Sequence, residues 1–95
     1  MGLIVQKFGG TSVKDRDRIF NVARIVANTR NQGNDVVVVV SAQGDTTDDL
    51  ITKAAEITSD PSHREMDMLL ATGEQISISL LAMALQEIGV PSVSL

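Results

Sequence analysis

The sequence contains no cysteine, no tryptophan and no tyrosine, and only two phenylalanines and two prolines. Without cysteine there are no disulfides and no thiolate metal sites. With aromatic residues nearly absent, there is little on which nucleic-acid bases could stack. Eight basic residues stand against twelve acidic ones, for a net charge of −4. The basic residues are scattered, so no stripe marks a nucleic-acid footprint. Apolar runs are short: Val36–Val40 falls far below the length needed to span a bilayer. The opening residues lack the basic region and apolar stretch of a signal peptide. Gln6 also stands where a myristoylation motif needs Ser or Thr. A cytoplasmic protein, with neither membrane nor nucleic acid as partner, is expected.

What is present is the material of a small folded domain. Of 95 residues, 43% are hydrophobic and 21% charged, which argues against disorder and allows one core. Leu3–Val5 reads as a strand closed by Gly9-Gly10. Ser12, with Asp15 three residues on, resembles a helix start. Ile19, Val22, Ala23 and Val26 follow at i, i+3, i+4 and i+7, one face of a helix, which residues 31–34 with Gly33 should end. Val36–Val40, five β-branched residues without polar alternation, predicts a strand buried on both faces, as inside a parallel sheet. Strand, helix and strand make a βαβ unit.

A polar loop, residues 41–49, precedes a helix over about 47–58 that is expected to bury Leu50, Ile51, Ala54 and Ala55. Ser59-Asp60-Pro61 breaks it. Ser62-His63-Arg64-Glu65 fits a capping box and opens the longest helical stretch, to about Glu87. There Ile76, Leu80 and Ala84 form one row, and Leu81, Leu85 and Ile88 another. Gly73 marks a bend or a close backbone approach. Gly89 caps the helix, Pro91 stops it, and residues 90–95 should begin a third strand. The order β-α-β-α-α-β predicts an α/β protein with an open, mainly parallel sheet flanked by helices, incomplete in this chain.

Ligands of such sheets bind beyond the carboxyl ends of the strands. There the sequence places Lys7-Phe8-Gly9-Gly10-Thr11-Ser12 and Ser41-Ala42-Gln43-Gly44-Asp45-Thr46-Thr47. Gly9 and Gly10 allow a backbone N–H cradle, a helix N-terminus favours an anion, and Lys7 adds a positive charge, so phosphate is one reading. A tight βα turn with an exposed lysine is the other. The lysine precedes the glycines, so the loop is not a Walker motif. Ser41 and Thr47 can donate to a carboxylate, although Thr46, Thr47 and Asp48 also suit helix capping. Asp45, Asp48 and Asp49 match no calcium loop and favour a first helical turn, so no metal site is expected. Glu74, on residue type alone, is a solvated helix residue. His63 is a loop residue without a catalytic or metal role, and Met66, Met68 and Met83 are core filler or interface.

Together KFGGTSV, VVSAQGDTTDDL and REMDMLLATGEQIS with LLAMAL resemble the aspartate kinases of the amino-acid kinase superfamily, over essentially the whole chain. The sequence departs at Gln43, where that family commonly carries Met. The resemblance implies ATP-dependent phosphorylation of the β-carboxylate of L-aspartate to 4-phospho-L-aspartate, the entry to lysine, threonine and methionine, with Mg²⁺ arriving on the ATP. It implies that Lys7 contacts the phosphates and the developing charge, that Gly9 and Gly10 supply N–H groups, and that Ser12 borders the same pocket. Ser41 would lie beside the transferring group, Thr47 would hold the aspartate carboxylate, and Glu74 would pair with its amino group. Residues 1–95 would then be the N-terminal, substrate-side portion of a kinase domain, without the nucleotide-binding half and the regulatory ACT domains. Such a chain is expected to be inactive alone, and the parent to be a homo-oligomer. The alternatives are a kinase of glutamate or N-acetylglutamate, or a non-catalytic self-associating fragment.

Overall fold

A computed structural model describes residues 2–95. The chain runs β1 (Gly2–Phe8), one 3₁₀ turn (Gly10–Val13), α1 (Arg16–Asn31), β2 (Asn34–Val40), α2 (Thr46–Ile57) and α3 (His63–Glu87). β1 and β2 pair in parallel, with Gly2 opposite Asn34 and Phe8 opposite Val40. This is the predicted βαβ unit, with a first strand longer than expected that takes in Lys7 and Phe8.

Side chains alternate across a strand. Phe8, Val36 and Val38 pack toward the core, where Val40 is buried. Leu3, Val5, Val37 and Val39 face the other way and are exposed, the last two at 45% and 46%. The expectation that Val36–Val40 is buried on both faces is therefore corrected. Helices α1 and α3 cover one face of a two-stranded sheet, and nothing among the described residues covers the second.

Ser12 does not start α1. It lies in the 3₁₀ turn, with its N–H donating to the Gly9 carbonyl at 3.1 Å. Asp15 is the N-cap, its carboxylate accepting from the Arg18 N–H at 2.9 Å. The extra turn buries Val13 completely, which explains the delay. From Asp15 onward the periodicity holds: Ile19, Val22, Ala23 and Val26 are α1's buried residues. Together with Val13, Val40, Leu81, Ala84, Leu85 and Val90 they make up the core.

α2 buries none of its residues. Leu50 and Ala54 are half-covered, whereas Ile51 and Ala55 are exposed, because α2 packs on α3 outside the sheet layer. α3 begins as predicted, with the Ser62 hydroxyl accepting from the Glu65 N–H at 3.3 Å, and continues through Gly73 without interruption. Its buried residues are Gly73, Ser77, Leu81, Ala84 and Leu85, while Ile76 and Ile88 at the ends of the two expected rows are exposed. By length and apolar composition α3 passes as a membrane span. Here it packs on α1 and α2 through one side, the side that carries its buried residues.

α3 ends at Gly89, whose φ of +86° suits only glycine well. The Val90 N–H donates back to Leu85 O at 2.8 Å and the Gly89 N–H to Gln86 O at 3.0 Å, a Schellman closure. The third strand expected over residues 90–95 does not form. Gln86 Nε2 donates to Ser92 O at 3.1 Å and Ser92 Oγ to Ala82 O at 3.0 Å, so the segment is tied to α3 instead of the free edge of β2.

Candidate functional site

Because Phe8 and Val40 are register partners, the segments after them leave the same edge of the sheet side by side. The Ser41 N–H donates to Phe8 O at 3.1 Å, extending the ladder by one bond. The Gly44 N–H donates to Gly10 O at 3.3 Å. Gln43 Nε2 donates to Val13 O at 2.9 Å. The loop then turns into α2 through the Thr46 N–H and Gln43 O, 2.8 Å apart. Gly9, Gly10, Ser12 and Ser41 are thereby held in one patch, and Thr47 stands in the first turn of the helix that leaves it.

The two glycines are there for different reasons. A Cβ on Gly10 would overlap the carbonyl oxygen of Ala42, so the loops approach this closely only with glycine at that position. Gly9 has an ordinary φ of −78° and nothing within 4 Å of where a Cβ would sit. The fold makes no demand for glycine at Gly9. An open backbone at the carboxyl edge of a parallel sheet suits close approach by a ligand.

Gly73 brings the third component. A Cβ there would sit 3.0 Å from Ala42 Cβ and 3.1 Å from Thr46 Cγ2. This is the close backbone approach, and the helix runs unbroken through it. Glu74, the next residue, is exposed beside that contact, and Thr47 is the neighbour of Thr46. Lys7 is exposed on the uncovered face of the sheet, one residue short of the edge, with Val39 as its strand partner. It takes part in none of the ion pairs among the described residues.

The capping explanation for the second loop does not hold. The N-cap of α2 is Asp45, and no side chain closes that end. The Thr47 hydroxyl is therefore not consumed as an N-cap. Asp48 and Asp49 lie in the first turn of α2, where carboxylates favour the helix dipole. Among the described residues no three His, Asp or Glu side chains are placed to hold a metal ion. The residue that sequence reasoning missed is Gln43. Its amide reaches a backbone carbonyl thirty residues away in sequence, and no local pattern signals such a bond.

A separate recess lies away from this edge. A groove of about 440 Å³ runs along the free edge of β2, lined by Val36, Val38, Leu81, Leu85 and residues 90–95. It is an apolar channel containing none of the candidate site residues. Polar groups and open backbone converge at the loop edge, outside that groove.

A parallel βαβ unit with two stitched loops and an exposed glycine at its carboxyl edge defines an α/β protein of the kind whose ligands are found at that edge. The model of the amino acid kinase family matches residues 2–95, and the chain belongs to that family. It is 63% identical over 94 residues to an aspartokinase of Bacillus sp. (strain MGA3), covering 99% of this chain and 23% of the relative. It is 62% identical over 95 residues to an aspartokinase of Geobacillus stearothermophilus, with 100% and 23% covered. A crystal structure of aspartate kinase from Synechocystis superposes with a TM-score of 0.95 at 58% identity, over 98% of this chain and 16% of that one. The chain thus spans about a quarter of the length of these curated relatives, and its fold matches part of an aspartate kinase.

Proposed function

We propose that the chain is the N-terminal, substrate-side portion of a kinase domain whose parent transfers the γ-phosphoryl group of MgATP to the β-carboxylate of L-aspartate. The product, 4-phospho-L-aspartate, is the entry to lysine, threonine and methionine. The observation that carries this reading is the loop edge itself: Gly9 offers open backbone where the fold needs no glycine, beside Lys7 and opposite Ser41 and Thr47. Identities of 62–63% to proteins named aspartokinase favour aspartate over glutamate or N-acetylglutamate.

In the proposed reaction an oxygen of the aspartate β-carboxylate bonds to the γ-phosphorus as the bond to the bridging oxygen breaks and ADP leaves. Positioning and charge stabilisation do most of the work in such a transfer. Lys7 supplies positive charge to the phosphates, and the N–H groups of Gly9 and Gly10, bordered by Ser12, cradle them. Ser41 sits beside the transferring group. The Thr47 hydroxyl donates to the aspartate carboxylate, and Glu74 accepts from its ammonium group. Mg²⁺ arrives with the nucleotide and offsets phosphate charge; no residue of this chain is assigned to it or to the base. The nucleotide-binding half and the ACT domains belong to the parent, a cytoplasmic homo-oligomer.

The test has two parts. Backbone amide spectra of the 95-residue chain are titrated with MgATP, then with L-aspartate, L-glutamate and N-acetyl-L-glutamate. MgATP is expected to move the Gly9 and Gly10 resonances, an effect lost in Lys7→Ala without loss of fold. L-aspartate is expected to move Thr47 and Glu74 more than the other two acids do. A response to MgATP confined to residues remote from the loops would overturn the phosphate assignment. Trapping with hydroxylamine is expected to find no acyl phosphate; steady formation from aspartate would overturn the proposed inactivity.

A further inference from the structure

Beyond the last pair of the strand ladder, two hydrogen bonds among the described residues join the loops, apart from Ser41 N–H to Phe8 O. The backbone tie, Gly44 N–H to Gly10 O, is long at 3.3 Å, and both its residues are glycines with no side chain to stiffen them. The other is the 2.9 Å bond from Gln43 Nε2 to Val13 O. Val13 is completely buried, so its carbonyl has no ready access to water and needs a partner within the protein. Lys14 adds to the same contact. The stem of its side chain crosses Gly44, with Cγ 3.4 Å from the position a Cβ would take. Val13 and Lys14 thus grip Gln43 and Gly44, one pair of neighbours against another.

We infer that Gln43 is a positioning residue, which locks the β2–α2 loop onto the 3₁₀ turn and so fixes the aspartate-side groups relative to the phosphate-side groups. The inference rests on the phosphoryl-transfer reading for its functional meaning, but the lock itself does not. Its location suits the task. Gln43 lies two residues after Ser41 and four before Thr47, and its acceptor Val13 follows Ser12 directly. A single side-chain bond therefore spans the boundary between the two halves of the proposed site. A methionine at this position fills similar space but donates nothing.

The experiment is amide exchange on the 95-residue chain and on two variants, Gln43→Met and Gln43→Glu, first without ligand. In the unaltered chain the Gln43 side-chain amide is expected to exchange more slowly than that of exposed Gln32 or Gln75. In Gln43→Met the Gly44 and Ser41 amides are expected to exchange about fivefold faster, as befits loss of one hydrogen bond, and the Val13 carbonyl carbon to shift. Gln43→Glu sets a carboxylate against that carbonyl and should accelerate exchange further. Amides of Val22 and Ala23 in α1 should be unchanged in both variants. Equal rates at Gly44 and Ser41 in all three proteins would overturn the inference, as would uniform acceleration reaching α1. MgATP is then added. Weaker binding by Gln43→Met than by the unaltered chain supports the positioning role, and equal binding overturns it. If MgATP moves no resonance of the unaltered chain, the phosphate reading fails, and the ligand-free exchange rates alone decide the lock.

Discussion

Replacing Gly10 by alanine tests the packing of the two loops against a control that lies next to it in sequence. The added methyl would overlap the Ala42 carbonyl oxygen, with Gly44 N a further 3.4 Å contact. Both obstacles are backbone and cannot rotate aside. Relief requires the second loop to back away, which strains the Ser41–Phe8 bond and breaks the Gly44–Gly10 bond. Overpacking of this kind costs about 1–3 kcal/mol, and a lost hydrogen bond adds about 1 kcal/mol. The loss of unfolded-state freedom on going from Gly to Ala returns only about 0.4–1 kcal/mol. The net destabilisation is about 2 kcal/mol, or roughly 8–16 °C in Tm for a domain of this size. Gly9→Ala meets nothing within 4 Å and should leave stability within about 0.5 kcal/mol or raise it slightly. With no tryptophan or tyrosine for fluorescence, thermal melts are followed by far-ultraviolet circular dichroism. Equal melting temperatures for the two variants would refute the reasoning, because everything in it depends on the two glycines having unlike surroundings.

Three further outcomes are expected. Asp15→Ala removes the N-cap of α1 and should cost about 1 kcal/mol in urea titration, whereas Ser12→Ala, at the start predicted from sequence, should cost less. Ser77 is fully buried with an Oγ that has no hydrogen-bond partner, so Ser77→Ala should stabilise by roughly 1 kcal/mol through relief of desolvation and better helix propensity; destabilisation would reveal a hidden partner. The uncovered face of Leu3, Val5, Val37 and Val39 should drive concentration-dependent association in sedimentation velocity, and Val37→Lys should shift the chain toward monomer; an unaltered chain that stays monomeric over a wide concentration range would count against this.

The sequence was most readable where local chemistry and tertiary packing agree. The α1 stripe, the Ser62 cap and the Gly89 stop each follow from residues within one or two turns of each other. It was least readable where two local options were equally good. Ser12 and Asp15 are both competent N-caps, and burial of Val13, a tertiary matter, selected the second. Five β-branched residues specify a strand at Val36–Val40, but their lack of polar alternation cannot say how many faces are covered. Val90–Leu95 has the composition of a strand, yet Gln86 of α3 donates to its Ser92 carbonyl and the Ser92 hydroxyl donates to Ala82 O, which ties the segment to the helix first. The apolar side of α2 is likewise real but extends past what α3 can cover.

The site followed the same division. Parallel pairing was inferable, and with it the shared edge of the two loops. The placement of Glu74 was not inferable from its own chemistry, since it remains an exposed carboxylate on a helix, as its residue type alone suggests. What sets it apart is its neighbour. Gly73 lets the backbone of α3 come against Ala42 and Thr46, and a methyl group there would force that contact to open by a few tenths of an ångström. Ala42 in turn is the residue whose carbonyl oxygen forbids a side chain on Gly10. One small residue is therefore pressed between two glycines, thirty-one positions from one and thirty-two from the other. The line from Gly10 through Ala42 to Gly73 draws the loop after β1, the Ser41–Thr47 segment and Glu74 into one patch. In a chain with so few large side chains near its candidate chemistry, the site is positioned less by what its residues carry than by what these two glycines lack.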